Sequence, residues 1–236
     1  MVKYDIPFIV HQTFYTTSLP IQIFNIIKHN QKMCPNYKFY FYNDEQCEEF
    51  IKTNFDTQVY NAYMKLNKHY GAMKADFFRY CILYKLGGIY LDIKSKINKP
   101  LGSIIKPHDI CILDNLRNDY EPWRINNPTY EQWLLIFSPN HPYLIQMINQ
   151  MVNDIENNYE PKIPGYSSLT PKQKVLILTG PDAFTRAINS YINTHNNILH
   201  RSINYNYYFQ RHEGNYISMY KNKKHYSEVN LPLYNS

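Results

Sequence analysis

Four charged side chains, Asp76, Arg79, Asp92 and Lys94, have the types and spacing to do chemistry together. Asp76 and Arg79 lie three positions apart, which puts them on one face of a helix. Arginine offers a planar fork of donors and aspartate accepts, so the pair suits either the hydroxyls of a polyol or a structural salt bridge. Asp92 closes the apolar run Ile89-Tyr90-Leu91. A carboxylate at the C-terminal end of a strand in an α/β sheet faces the crevice where ligands bind. A carboxylate so placed suits a divalent ion better than a structural role. Strand alternation then sets Asp92 and Lys94 on one side and Ile93 on the other.

The elements that must position these residues are legible around them. From Gly71 to Leu86 apolar residues recur at helical spacing, with Ala72, Ala75, Phe78, Ile82 and Leu86 near one face. Gly87-Gly88 stops the helix, because glycine alone takes a left-handed end position without steric cost. Ile89-Tyr90-Leu91 follows as a buried strand. Upstream, Ile6–Phe14 reads as the first strand, and a helix starts at Ser18-Leu-Pro20 and ends before Cys34. Lys38–Tyr42 is the second strand, Asn43 or Asp44 caps the next helix, and helical patterns fill roughly Glu45–Asn67. Downstream come strands at Asp109–Asp114 and Trp133–Phe137, a helix over about Pro142–Asn153, a polar loop over Asn157–Thr170, and a helix from Pro181 to about His195. Strand alternating with helix predicts an α/β fold with a parallel sheet.

The stretch Ala75-Asp76-Phe-Phe-Arg79-Tyr-Cys-Ile-Leu-Tyr-Lys-Leu-Gly-Gly-Ile-Tyr-Leu-Asp92-Ile-Lys94 resembles the core signature of family 32 of the glycosyltransferases, and is similar also to the core of the large clostridial glucosylating toxins. Further matches are the opening Ile6-Pro-Phe-Ile-Val-His-Gln, the segment Pro35–Asp44, the segment Leu178-Thr-Gly-Pro-Asp182, and the weaker His212-Glu-Gly-Asn-Tyr216. The resemblance implies a single domain of the GT-A type, a Rossmann-like mixed or parallel sheet flanked by helices. It spans 1–236, with a donor-binding core at about 6–115 and an acceptor-side part at about 116–236. The implied reaction is transfer of a sugar from a UDP- or GDP-sugar to a glycan, protein or other hydroxyl acceptor, with retention of configuration. Asp76 and Arg79 match residues that grip donor hydroxyls, and Asp92 matches a ligand of a divalent cation, Mn²⁺ or Mg²⁺. Phe14 falls where relatives stack an aromatic on the nucleotide base; a core phenylalanine is the other reading. Gly180 begins a helix whose N–H groups suit an anion; a plain turn is the other reading. Asn215, Tyr216 and the metal candidate His212 fall in a segment that in relatives returns to the donor phosphates and metal.

One departure bears on the chemistry. The family pattern ends Asp-x-Asp, and here the second position is Lys94. A protonated lysine has three donors and no lone pair, so it ligates no metal. Three arrangements follow. A metal is held by Asp92, with His212, the diphosphate and water. Or Lys94 itself meets the diphosphate. Or Lys94 pairs with Asp92 and leaves a weakened site. The third makes a catalytically weak protein that binds nucleotide-sugar or glycan the main alternative to an enzyme. A metal-dependent phosphate-ester hydrolase is a more distant rival.

Composition excludes other classes. A net charge of +6, with Lys221, Lys223 and Lys224 as the densest basic cluster, is too weak a footprint for nucleic acid. The four cysteines form no Cys-x-x-Cys pair and read as reduced structural thiols. No apolar run reaches membrane-spanning length, and a first strand beginning near Ile6 leaves no room for a signal peptide. These features predict a soluble cytoplasmic protein. The abundance of Tyr, Asn, Ile and Lys fits AT-rich coding, as in a microbe or a large DNA virus, and the 24 tyrosines also suit stacking on sugars or bases.

Overall fold

The computed structural model describes residues 5–115, 124–126, 128–162, 165–211 and 228–235. A six-stranded sheet runs in the order β2-β1-β3-β6-β5-β7. Its strands are β1 (Ile9–Thr13), β2 (Lys38–Tyr42), β3 (Gly88–Leu91), β5 (Cys111–Asp114), β6 (Leu134–Phe137) and β7 (Arg201–Ile203). β1 pairs in parallel with both β2 and β3, and β5 with β7. β6 runs antiparallel between β3 and β5, so the sheet is mixed where strand–helix alternation predicts a wholly parallel one. A second, two-stranded sheet joins β4 (Lys96–Ile97) to β8 (Phe209–Gln210), with α8 (Tyr205–Tyr208) between β7 and β8.

Helices α1 (Ile21–Met33), α2 (Asp44–Asn54), α3 (Thr57–Lys65), α4 (Gly71–Leu86), α5 (Pro142–Glu156), α6 (Pro171–Leu178) and α7 (Pro181–His195) complete the fold. Asn43 caps α2 in a reciprocal box: its Oδ1 accepts the Gln46 N–H at 2.8 Å, and its own N–H donates to Gln46 Oε1 at 3.0 Å. The helical stretch expected over Glu45–Asn67 is two helices, because Phe55 is extended and Asp56 starts α3 by accepting the Val59 N–H at 2.9 Å. α6 lies where sequence alone left Pro171–Leu178 unassigned. Its start carries a capping box, Thr170 with Gln173, and a proline in the first turn.

α4 is the centre of the core. Ala72, Ala75, Phe78, Ile82 and Leu86 were expected to mark one buried face, yet Leu86 is 42% exposed. Burial instead surrounds the middle of the helix, from Asp76 through Leu83, because α4 is covered on several sides by α5, α2 and the sheet. Its end is fixed by Gly87 at φ +63° and Gly88 at φ +96°. A Cβ on Gly88 would lie 2.6 Å from the Ile9 carbonyl oxygen, so this glycine also lets β3 lie against β1. His11 of β1 locks the same junction. Its Nε2–H donates to the Gly87 carbonyl at 3.1 Å, which leaves Nδ1 to accept from the Tyr42 hydroxyl at 3.2 Å. Burial lowers its pKa to about 4, so the ring is neutral.

Candidate active site

A cavity of about 370 Å³ opens at the C-terminal ends of β1 and β3. The chain leaves β1 for β2 on one side and returns to β3 on the other, so this is the point where strand order reverses. Thr13, Phe14 and Tyr15 supply one wall and Asp92–Ser95 another, while Asp76 and Arg79 form part of the interior.

Asp76 and Arg79 are only 4% and 6% exposed. Arg79 Nη2 lies 3.0 Å from Asp76 Oδ1 and 3.4 Å from Asp92 Oδ1, and Nη1 donates to the Gln132 carbonyl at 2.6 Å. The guanidinium also lies over the Tyr90 ring at 4.4 Å. Asp76 accepts from Gln132 Nε2 at 3.1 Å and from the Thr179 hydroxyl at 2.8 Å. Gln132 Oε1 accepts in turn from the Tyr80 hydroxyl. Burial pushes Asp76 up to about 6, opposed by Arg79 and the donors Thr179 and Gln132. Burial works against charge on Arg79 too, but Tyr90, Asp76 and Asp92 outweigh it and hold the guanidinium protonated. At neutral pH the pair is ionised and rigid.

Asp92 does not continue β3. Its N–H donates to the Trp133 carbonyl at 2.8 Å and its carbonyl accepts the Ser95 N–H at 2.8 Å, which makes a turn over Asp92–Ser95. The expected alternation therefore fails: Asp92, Ile93 and Lys94 all line the cavity. The Asp92 side chain is 43% exposed. Burial lowers the Lys94 pKa, and Asp92 opposes that shift.

Phe14 lines the cavity but is 6% exposed, packed with Ile23 and Ile93, its ring 4.6 Å from that of Tyr15. Gly180 is not among the lining residues; its neighbour Pro181 is. The Gly180 N–H is hydrogen-bonded to the Val175 carbonyl at 3.2 Å, and a Cβ there would lie 2.6 Å from the Leu176 carbonyl oxygen. This glycine lets α7 pack tightly after α6. The first turn of α7 already holds a carboxylate, Asp182, whose Oδ1 accepts the Ile125 and Asn126 N–H groups at 3.1 and 3.2 Å. These contacts favour the plain-turn reading of Gly180. His212, Asn215 and Tyr216 lie outside the described residues. Arg211, just before them, lines the cavity and pairs with Glu131 at 3.4 Å. Sequence reasoning missed Tyr15, Gln132 and Arg211, none of which sits in a periodic pattern that marks it, and gave no role to Thr179 within the matching segment Leu178–Asp182.

Residues 20–111 match the model of the family described as a glycosyltransferase sugar-binding region containing a DXD motif. Inositol phosphoceramide mannosyltransferase 3 of Schizosaccharomyces pombe is 30% identical over 171 residues, which are 70% of this chain and 43% of that protein. The chain spans less than half the length of such curated relatives. Two glycosyltransferase structures share the fold. The PaToxG glycosyltransferase superposes with a TM-score of 0.60 at 16% identity, covering 80% of this chain and 70% of that one. The UDP-bound glycosyltransferase domain of the YGT toxin superposes with a TM-score of 0.57 at 9% identity, covering 84% and 79%. The mixed sheet flanked by helices is thus a glycosyltransferase fold of the GT-A kind.

Proposed function

We propose that this protein transfers a sugar from a nucleotide-sugar to a hydroxyl of a glycan or other acceptor, with retention of configuration. The observation that carries the reading is the cavity at the β1/β3 reversal, where one polar cluster joins Asp76 and Arg79 of α4 to Asp92 beyond β3. Phe14 and Tyr15 form the wall for the nucleotide base. Asp76 and Arg79 hold donor hydroxyls, and Gln132 and Thr179 hold Asp76. Leaving-group departure puts positive charge on the sugar and negative charge on the diphosphate. The Asp92 end of the cavity is where the diphosphate sits, within reach of Lys94. The donor-binding core extends beyond about 6–115, since Gln132, Pro181 and Arg211 also line the cavity.

The resemblance implies Mn²⁺ or Mg²⁺ at Asp92. Asp76 is held by Thr179, Gln132 and Arg79, which leaves one lone pair on Oδ2 for a donor hydroxyl. Lys94 offers no lone pair. Among the described residues no group of three His, Cys, Asp or Glu is placed to hold a metal. Among the described residues this donor set is too sparse for a resident cation.

Lys94 also supports a second reading, a protein that binds nucleotide-sugar without turnover. A thermal-shift panel of UDP- and GDP-sugars separates the readings, since a ligand that binds only the folded state raises the midpoint. The mannosyltransferase relative makes mannose donors the first to try, and the UDP of the toxin neighbour makes UDP-sugars the second. A shift with one donor and its turnover supports transfer. A shift without turnover supports the binding protein, and no shift with any donor overturns both. No helix among the described residues is long and apolar enough to cross a membrane.

A further inference from the structure

We infer that two side chains of the chain itself, Lys94 and Arg211, meet the negative charge of the donor diphosphate, so that donor binding does not require a divalent cation. The inference rests on the nucleotide-sugar reading of the cavity.

The first support is the division of charge inside the cavity. Within its interior pair, Arg79 directs Nη2 to Asp76 and Asp92 and Nη1 to the Gln132 carbonyl. Asp92 is therefore partly neutralised before any ligand arrives. A diphosphate placed beside it brings further negative charge that only cations or N–H donors can offset. Lys94 and Arg211 are two cations that line the same cavity as that carboxylate.

The second support is how firmly the two are brought together. Ser95 is 2% exposed, and its carbonyl accepts from Asn30 Nδ2 of α1 at 2.9 Å. Asn30 Oδ1 in turn accepts the Ile97 N–H at 2.9 Å. One buried asparagine thus fastens the backbone just after Lys94. The same backbone continues as β4, which pairs with β8 in the register Lys96↔Gln210 and Ile97↔Phe209. Continuing this antiparallel register by one position sets Arg211 opposite Ser95, beside Lys94. The small sheet therefore sets both basic residues at one edge of the cavity. Donors held in place before the ligand arrives cost little reorganisation.

The third support is the availability of Arg211. Its contact with Glu131 is long, at 3.4 Å, and its side chain is 53% exposed. Glu131 is only 12% exposed, but at 3.4 Å the contact lies near the limit of a hydrogen bond. A phosphate can take a guanidinium through two parallel hydrogen bonds and displace such a partner.

The test is calorimetric titration of the full chain with UDP and with GDP, in EDTA and in Mn²⁺, using uridine and guanosine as probes of base binding alone. For whichever diphosphate binds, the dissociation constant is expected to agree within about threefold between the two buffers. Lys94→Gln and Arg211→Gln are each expected to weaken diphosphate binding about tenfold, as loss of a charge-assisted contact does. Nucleoside binding should stay unchanged, which shows that the variants keep their fold. Lys94→Asp should make binding depend on Mn²⁺. Loss of wild-type binding in EDTA, or an unchanged diphosphate affinity in the Lys94→Gln/Arg211→Gln double variant, would overturn the inference while leaving the donor reading intact. Failure of both UDP and GDP to bind in either buffer would overturn the donor reading and this inference with it.

Discussion

Replacing Thr179 by valine removes one donor from a buried carboxylate and changes little else. Thr179 is fully buried, and its hydroxyl donates to Asp76 Oδ2 at 2.8 Å. Valine keeps the branched shape but leaves that oxygen without its partner. Hydrogen bonds to charged groups are worth about 1.5–3 kcal/mol. In a chain of this size each kcal/mol moves the melting midpoint by roughly 2–4 °C, so Thr179→Val should melt about 3–12 °C below wild type. The hydroxyl also stabilises the ionised form of Asp76, whose pKa already stands at about 6. Its loss raises that value by about one unit or more. If ionised Asp76 holds the donor, the acid limb of donor binding moves toward neutral pH. Thr179→Ser is the control. It keeps the donor and loses one buried methyl, a cost of about 1 kcal/mol. Melting scans and donor titrations from pH 5 to 8 read both effects. The reasoning fails if Ser proves the more damaging replacement, or if Val leaves both the midpoint and the acid limb where they were.

Three further outcomes follow from the same geometry. Gly88→Ala should cost about 3 kcal/mol in urea denaturation, from a positive φ together with a Cβ 2.6 Å from the Ile9 carbonyl oxygen; a loss under about 1 kcal/mol would contradict that packing. Arg79→Lys keeps the charge but cannot reach Asp76, Asp92 and the Gln132 carbonyl at once, so transfer should fall about 100-fold with the fold retained; near-normal turnover would show that the fork is dispensable. For pH, burial depresses His11 and His141 to about 4 from 6.5. Their neutral forms stabilise the fold above pH 6.5, and that stability is lost as pH falls toward 4, about 2 kcal/mol each at pH 5. Asp76, raised from 3.8 to about 6, acts in the opposite sense and returns about 1 kcal/mol over the same interval. Denaturation midpoints should therefore drop between pH 7.5 and 5, less steeply in His141→Gln. A flat wild-type profile would contradict the burial of these rings.

Local signals carried much of the fold. Lys38–Tyr42 and Gly71–Leu86 appear with the ends read from sequence, because a strand flanked by caps and a helix stopped by paired glycines are specified within a few residues. The antiparallel insertion of β6 was not legible, since its run Leu134–Phe137 is buried throughout and a buried strand reads the same in either direction. The apolar face assigned to α4 was too narrow, because periodicity assumes one solvent side and this helix is largely enclosed. The turn at Asp92–Ser95 escaped for a different reason. It is fixed by the Trp133 carbonyl and by Asn30, which are distant in sequence. The same distance hid Gln132 and the role of Thr179. Each is a single polar residue beside an apolar run, and each acquires its role only when folding brings it to Asp76. α6 was readable in principle, since Thr170-Pro-Lys-Gln173 is a helix-start signature. Phe14, Asp76, Arg79, Asp92 and Lys94 share one cavity, whereas Gly180 is spent on packing.

The central claim is that the cavity binds a sugar donor and cleaves it at the bond to the diphosphate. The most direct measurement is nucleotide release from UDP- and GDP-sugars, mannose donors first, by wild type and by Asp92→Asn. The account predicts release with at least one donor, stimulated by a hydroxyl acceptor, and a fall of about 100-fold or more in the variant, because Asp92 orients the Arg79 fork that grips the donor. Release that is equal in Asp92→Asn, or absent for every donor in the wild type, would contradict it.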